Sequence, residues 1–335
     1  MKSKIFITGS SGFIGFHVAK KFLNKGVKVH GFDSMNNYYD VRLKKARLNI
    51  LKKYKNFSFT RGNLENEKKL SKSIFRFKPN IIIHLAAQAG VRHSIKNPEI
   101  YLNSNILGTF NILKLANIIK VKHLIIGSSS SVYGANKKSP FQEIDKTDHQ
   151  VSFYAATKKS TESLAHSYSS LWKLPTTMLR FFTVYGPYGR PDMAYFSFTK
   201  KILAGKMINI FNKGKMYRDY TYIDDIVDGI YKLINKPPSF NSKKKFKNDS
   251  LSPVAPFRIL NIGNTNKIYL LDFINTLEKQ LNKKIKRVYL PMQKGDVYST
   301  LSDSSLLKRI TGYNPQTNYK TGIKKFIDWY KNFYH

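Results

Sequence analysis

Ile5-Phe6-Ile7-Thr8-Gly9-Ser10-Ser11-Gly12-Phe13-Ile14-Gly15 sets a short apolar run against a turn with glycine at every third position. A run of that length reads as a buried strand, and the residues from Phe13 onward open a helix. Glycines at such a junction let a pyrophosphate approach backbone N–H groups at a helix N-terminus. Asp33 closes the next apolar run, Lys28–Phe32, where its carboxylate can accept both ribose hydroxyls of a dinucleotide. The same charge repels a 2′-phosphate, so the pair reads as a site for NAD rather than NADP. Arg42, Lys44 and Arg47 are nearby cations that could offset that repulsion.

Outward from this turn, Ser58–Thr60, Ile81–Leu85, His123–Gly127 and Thr176–Phe181 read as further buried parallel strands separated by amphipathic stretches. Successive βαβ units predict an α/β fold with a Rossmann-like doubly wound parallel sheet. His84-Leu85-Ala86-Ala87 ends the fourth strand, where small side chains let a cleft wall come close to a cofactor. From Phe182 the rhythm breaks: Gly186, Pro187, Gly189 and Pro191 crowd one loop, and Pro237-Pro238 end a later helix. The expected division is residues 1–181 as an NAD-binding domain to which later segments return, and 182–335 mainly as a smaller, interleaved substrate lobe. Ser239–Lys247 reads as a polar surface loop and Tyr319–Tyr334 as a final amphipathic helix.

The chain of 335 residues contains no cysteine, which excludes disulfides, thiol nucleophiles and cysteine-ligated metal, and no metal site is expected. Its formal charge is +38. The lysines are spread from Lys2 to Lys331 and form no arm interleaved with stacking aromatics, so nucleic acid is not an expected partner. Their abundance beside Ile, Asn, Phe and Tyr reads as genomic AT bias. A positive field would nevertheless draw in an anionic nucleotide sugar. With no cleavage-site pattern and no apolar stretch approaching ~18 residues, the expectation is a cytoplasmic protein without membrane insertion.

Tyr-x-x-x-Lys occurs twice. Tyr133 and Lys137 fall beside Gly134 and Ser139-Pro140, in a turn. Tyr154 and Lys158 fall in a helix-compatible stretch through Glu162, where i and i+4 share a face. An ammonium near the phenol lowers its pKa from ~10 and suits it to act as a base near neutral pH. Ser129, within Ser128-Ser129-Ser130-Ser131, ends a predicted strand and can hydrogen-bond the same substrate hydroxyl. Ligands of open α/β sheets bind at that end of the strands.

With Asn36-Asn37-Tyr38-Tyr39-Asp40, His84 through Arg92, Arg180 through Pro187, Gly189 through Ala194 and Gly214 through Asp219, these motifs resemble the extended short-chain dehydrogenase/reductases. The likeness lies in the nucleotide-sugar branch, and within it in the UDP-glucuronate 4-epimerases. The resemblance implies that Tyr154 removes the C4 hydroxyl proton as hydride passes to NAD, and that the 4-keto sugar rotates and is reduced on its other face. UDP-glucuronate and UDP-galacturonate are the implied partners. It implies cofactor contacts from Gly9, Ser11, Gly12, Phe13, Ile14, Gly15, Asp33, Asn36, Asn63, Leu64, Leu85, Ala86 and Ala87, beside Tyr154 and Lys158. Substrate contacts are implied for Arg92, Ser129, Ser130, Ser131, Thr183, Arg190, Phe211, Arg218 and Asp296. Asn63 stands where the family usually carries an aspartate facing the adenine amine, and its amide oxygen can accept the same bond. Related dehydratases place an Asp-Glu pair after the serine and decarboxylases a Glu; Ser130 and Ser131 supply no acid for elimination. A homodimer through segments 101–119 and 152–172 is also implied. The alternatives are a 4-epimerase of UDP-glucose or UDP-N-acetylhexosamine and a non-catalytic NAD-binding scaffold. Substrate assays and the effect of removing the Tyr154 hydroxyl separate them.

Overall fold

Runs dense in Ile, Val and Phe form β1 (Lys4–Thr8), β2 (Lys28–Asp33), β3 (Phe57–Arg61), β4 (Ile81–His84), β5 (His123–Ser129) and β6 (Thr176–Phe181) in the computed structural model, which describes residues 3–239, 246–293 and 295–334. All six strands expected from the sequence are present, β6 with its expected ends and the others shifted by one or two residues. Later in the chain come β7 (Thr183–Tyr185), β8 (Ile208–Phe211), β9 (Tyr217–Tyr222), β10 (Phe257–Ile262), β11 (Lys267–Tyr269) and β12 (Arg287–Leu290). A seven-stranded sheet runs in the order β10-β6-β5-β4-β1-β2-β3, with every neighbouring pair parallel. The strand order reverses between β1 and β4, which pair through Thr8 and His84, and a crevice opens at their C-terminal ends.

The helices between the first strands are α1 (Phe13–Asn24), α2 (Val41–Lys52) and α3 (Glu67–Phe77), then α4 (Val91–Lys96), α5 (Pro98–Tyr101) and α6 (Gly108–Ile118). After β5 come α7 (Phe153–Trp172), α8 (Ala194–Leu203), α9 (Ile223–Leu233), α10 (Leu270–Leu281), α11 (Ser305–Thr311) and α12 (Tyr319–Tyr334), the last with the bounds expected from its sequence. Alternation along each strand divides the core in two. Ile5 and Ile7 pack with α1 and α9, whereas Phe6 packs on the other face with Leu70, Ile112 and Ala165.

The chain beyond Phe182 builds a three-stranded sheet, β11-β9-β7, and a two-stranded one, β12-β8, yet it also returns β10 to the large sheet. Of the polar loop expected at 239–247, residues 240–245 lie outside the described residues. Three histidines on the central strands are buried as neutral bridges. His30 contacts Ser58, Thr60 and Ser73; His84 contacts Thr8 and Thr109; His123 contacts Thr177 and the Ile234 carbonyl. A fourth, His17 on α1, meets the Pro187 carbonyl at 2.9 Å.

Candidate active site

A cleft of about 1200 Å³ opens over the C-terminal ends of β1, β4, β5 and β6 and is closed from the far side by β7, β8 and β9. Every site residue expected from the sequence lines it except Ser11. Ser11 is fully buried behind the turn: its amide donates to Asp33 Oδ2 at 2.9 Å and its carbonyl accepts from Arg47. It shapes the glycine turn rather than forming its wall.

At one end, Gly9 holds φ near +72°, and a Cβ there would come 2.8 Å from the Ala86 amide. The turn therefore presses against Leu85 and Ala86. No side chain caps α1 and no acid stands in its first turn, which leaves the first-turn amides at Phe13 and Ile14 free to meet an anion. Asp33 is buried at the cleft edge, where its oxygens accept from the Ser11 and Met35 amides at 2.9 and 2.8 Å. Each keeps a further lone pair. A cradle closed to side chains, bare helix amides and an anchored carboxylate fit a dinucleotide.

Of the three cations near Asp33, only Lys44 lines the cleft. Its ammonium donates to the backbone and side-chain oxygens of Asn36 at 2.8 and 2.6 Å, and burial pulls it down to about 8 while Asp33 acts against that. Arg42 is exposed and paired with Asp40. Arg47 is fully buried and donates to Ser11 O, Tyr39 Oη, Tyr188 O and Gly189 O at 2.6–3.1 Å. The arginines expected to offset Asp33 are thus committed elsewhere.

Mid-cleft, Ser152 caps α7 by accepting from the Ala155 amide, which sets Tyr154 in the first turn facing the end of β5. Ser129 ends that strand and caps the turn behind it, accepting from the Ser131 amide at 3.2 Å and donating to Ser131 Oγ at 3.1 Å. Burial pushes the Tyr154 phenol up; a hydrogen bond with Ser129 and the Arg190 guanidinium pull it back. Lys158 differs from expectation. One turn deeper on the same helix face, its Nζ donates to the Gly127 carbonyl at 2.8 Å, and burial pulls it down to about 8. The groups acting on the phenol are therefore Ser129 and Arg190. The other tyrosine, Tyr133, lies in the expected turn, at the end of a short 3-10 segment, where it is buried, stacked on Phe141 and bonded to Asn261.

Toward the other end, Arg218 donates to Asp296 Oδ1 at 2.7 Å, and Arg92 lies 4.0 Å from Asp296 Oδ2 and over the Phe211 ring at 5.0 Å. Two guanidiniums and an aromatic ring make a surface for a diphosphate and a planar base. Ser130, Ser131 and Thr183 line the stretch between this surface and Tyr154.

Several participants went unread in the sequence. Asn105 sits in a π-helical segment, Leu102–Leu107, and bonds Gln88 and Thr157, tying the loop after β4 to α7. Asn103, Asn111 and Asn117 stand in the same stretch, and nothing in the sequence singles out Asn105 among them. Asp192 grips Arg190 through both oxygens at 3.1 and 2.5 Å and accepts from Tyr38 at 3.3 Å, which joins the loop after β2 to the loop after β7.

Comparison with known proteins follows the same lines. Residues 5–247 match the NAD dependent epimerase/dehydratase family. The chain is 48% identical to Protein CapI of Staphylococcus aureus, covering 99% of both. It is 46% identical to a probable UDP-glucuronate 4-epimerase of Rhizobium meliloti, covering 99% of this chain and 98% of that one. The fold superposes with a TM-score of 0.88 on the Bacillus cereus UDP-glucuronic acid 4-epimerase in complex with UDP-glucuronic acid and NAD, at 33% identity over 99% of this chain and 100% of that one.

Proposed function

The chain belongs to the NAD dependent epimerase/dehydratase family, and from that premise we propose that it interconverts UDP-glucuronate and UDP-galacturonate by epimerisation at C4. The observation that carries the choice is the cleft wall beyond Ser129, where Ser130, Ser131 and Thr183 offer hydroxyls at the place a uronate carboxylate would meet. Incubation with UDP-glucuronate and, separately, with UDP-glucose, followed by chromatography of the products, tests it. Turnover of the neutral sugar alone would refute the uronate assignment.

We assign residues 1–181 mainly to the cofactor and 182–335 mainly to the nucleotide sugar. In this reading the glycine turn and the first-turn amides of α1 receive the pyrophosphate, Asp33 the ribose, and Asn63 with Leu64 the adenine. NAD, when bound there, would supply a reversible hydride acceptor. Tyr154 removes the C4 hydroxyl proton, Ser129 holds that oxygen, and Lys158 keeps positive charge beneath the pair. When the ketone turns over, the same phenol returns the proton, so it must stay in place for both halves of the reaction. Arg218, Arg92, Asp296 and Phe211 hold the UDP moiety while the hexose rotates.

The oxidised intermediate is a β-keto acid that can lose carbon dioxide. Thr183 and Arg190 in this reading keep the carboxylate out of the geometry that delocalises the C5–C6 bonding pair into the ketone. Thr183→Val and Arg190→Met are each expected to raise the decarboxylated fraction of product or to slow turnover by about tenfold. Unchanged rate and product ratio in both variants would count against that role.

We also propose that the protein is a homodimer joined through residues 101–119 and 152–172. Leu102, Leu107, Phe110, Leu171 and Trp172 stand exposed on those segments, a spread of apolar surface that a second copy would cover. Leu107→Glu combined with Trp172→Glu is expected to halve the mass seen by sedimentation equilibrium. A dimer persisting in the double variant would place the interface elsewhere. Among the described residues no helix is long and apolar enough to cross a membrane. We place the enzyme in the cytoplasm, where UDP-sugars are made.

A further inference from the structure

Beneath the catalytic pair lies a buried set of polar groups that the chemistry above does not use. Tyr154, Lys158 and Glu162 recur at four-residue intervals on one face of α7, and each meets a residue at the end of β5. The Ser129 hydroxyl pulls the ionisation of the Tyr154 phenol down. Lys158 Nζ donates to Gly127 O at 2.8 Å, and Glu162 Oε1 accepts from Ser128 Oγ at 2.6 Å. On its other side Glu162 is gripped by Arg180 of β6, whose Nε and Nη2 reach its two oxygens at 2.9 and 2.8 Å. Both side chains of that ion pair are 2% exposed. Arg180 in turn donates to the Glu143 carbonyl at 3.2 Å and lies over the Tyr133 ring at 4.8 Å. Tyr133, the decoy of the sequence pattern, thus forms part of the packing around the pair.

A buried ion pair adds little stability over apolar packing of the same volume, but its directional bonds hold what they touch in one arrangement. Here they touch the strand end that presents Ser129 and the helix face that presents Tyr154. We infer that Glu162 is a positioning residue for the catalytic pair: clamped by Arg180 and by Ser128, it locks α7 against the end of β5 and keeps the Tyr154 and Ser129 oxygens at a fixed separation. This deepens the epimerase reading and rests on it. A single phenol that serves both faces of a rotating sugar has most to lose from a loose mounting, since a displacement of about 1 Å can cost about a hundredfold in rate.

The test compares holoenzymes carrying Glu162→Gln or Ser128→Ala with the parent protein. Expected are losses in kcat of about tenfold for the first and a smaller loss for the second, with KM for UDP-glucuronate unchanged. The decisive readout is the near-ultraviolet tyrosinate titration of Tyr154, isolated as the difference from Tyr154→Phe in each background. Removing the negative charge of Glu162 would by relief of Coulomb repulsion alone make the phenol ionise at lower pH. Loss of positioning weakens the Ser129 bond and moves ionisation to higher pH. A downward or unmoved titration, or an undiminished kcat in both variants, overturns the inference. If Glu162→Gln does not fold, Ser128→Ala leaves both charges in place and carries the same comparison. Because the titration needs no substrate, a parent enzyme inactive on UDP-glucuronate would refute the epimerase reading and leave this readout intact.

Discussion

Tyr154→Phe is expected to lower epimerisation by about 10²–10⁴-fold while NAD binding and thermal stability stay near those of the parent. The substitution removes one oxygen from a ring whose packing, edge-on to Tyr101 at 6.1 Å, is otherwise kept. In the proposed mechanism that oxygen is the proton acceptor, and its neighbours have other commitments: Lys158 is tied to the Gly127 carbonyl, and Ser129 is too weak a base to replace it. The rate with UDP-glucuronate under saturating NAD decides the matter. A variant within tenfold of the parent would remove Tyr154 from the proton path and, with it, the mechanism above.

The second large effect is acid unfolding well above the pH at which most carboxylates titrate. Burial holds His17 and His84 at about 3, and His30 and His123 at about 4. In the unfolded chain each takes a proton near ~6.5. Over the window from about 6.5 down to about 4, the unfolded state therefore binds protons that the fold refuses. The stability these rings contribute is complete above that window and is lost as pH falls through it. Each costs about 1.4 kcal/mol per pH unit, so roughly 2 kcal/mol per ring has gone by pH 5. Glu143 works in the opposite sense: burial pushes it up to about 7, so protonation favours the fold as pH falls and offsets about one ring. The net loss approaches the total stability of an ordinary domain, about 5–15 kcal/mol. Circular dichroism followed downward from pH 7 should show cooperative unfolding near pH 5, and full ellipticity retained at pH 4 would contradict it.

How far the sequence could be read depended on whether a residue's role is local. Ile5–Gly15 announces itself because strand, turn and helix start within eleven residues, and Asp33 because it ends the next strand. Tyr154 and Ser129 were legible for the same reason, each marked by a helix start or strand end. Lys158 was placed on the correct face, but its partner was not foreseeable: i and i+4 fix direction along a helix and leave depth to tertiary packing. Arg42 and Arg47 sit five residues apart on one helix, yet one is exposed and the other fully buried. Arg47's acceptors at Tyr188 and Gly189 lie far along the chain, where no periodicity connects them. Asn105, Asp192 and the Glu162–Arg180 pair were hidden for the same reason.

Arg47 spreads four hydrogen bonds from its two Nη atoms over the glycine turn, the residues just before α2 and the loop that carries Arg190. Prising the two lobes apart would strand a bare guanidinium among groups it could no longer reach. Wide gaping is therefore disfavoured, and the sugar is left to pivot inside a chamber whose walls hold still. In the proposed cycle the hydride taken from C4 would return to the same sugar, so that NAD held in this cleft would call for no outside reductant.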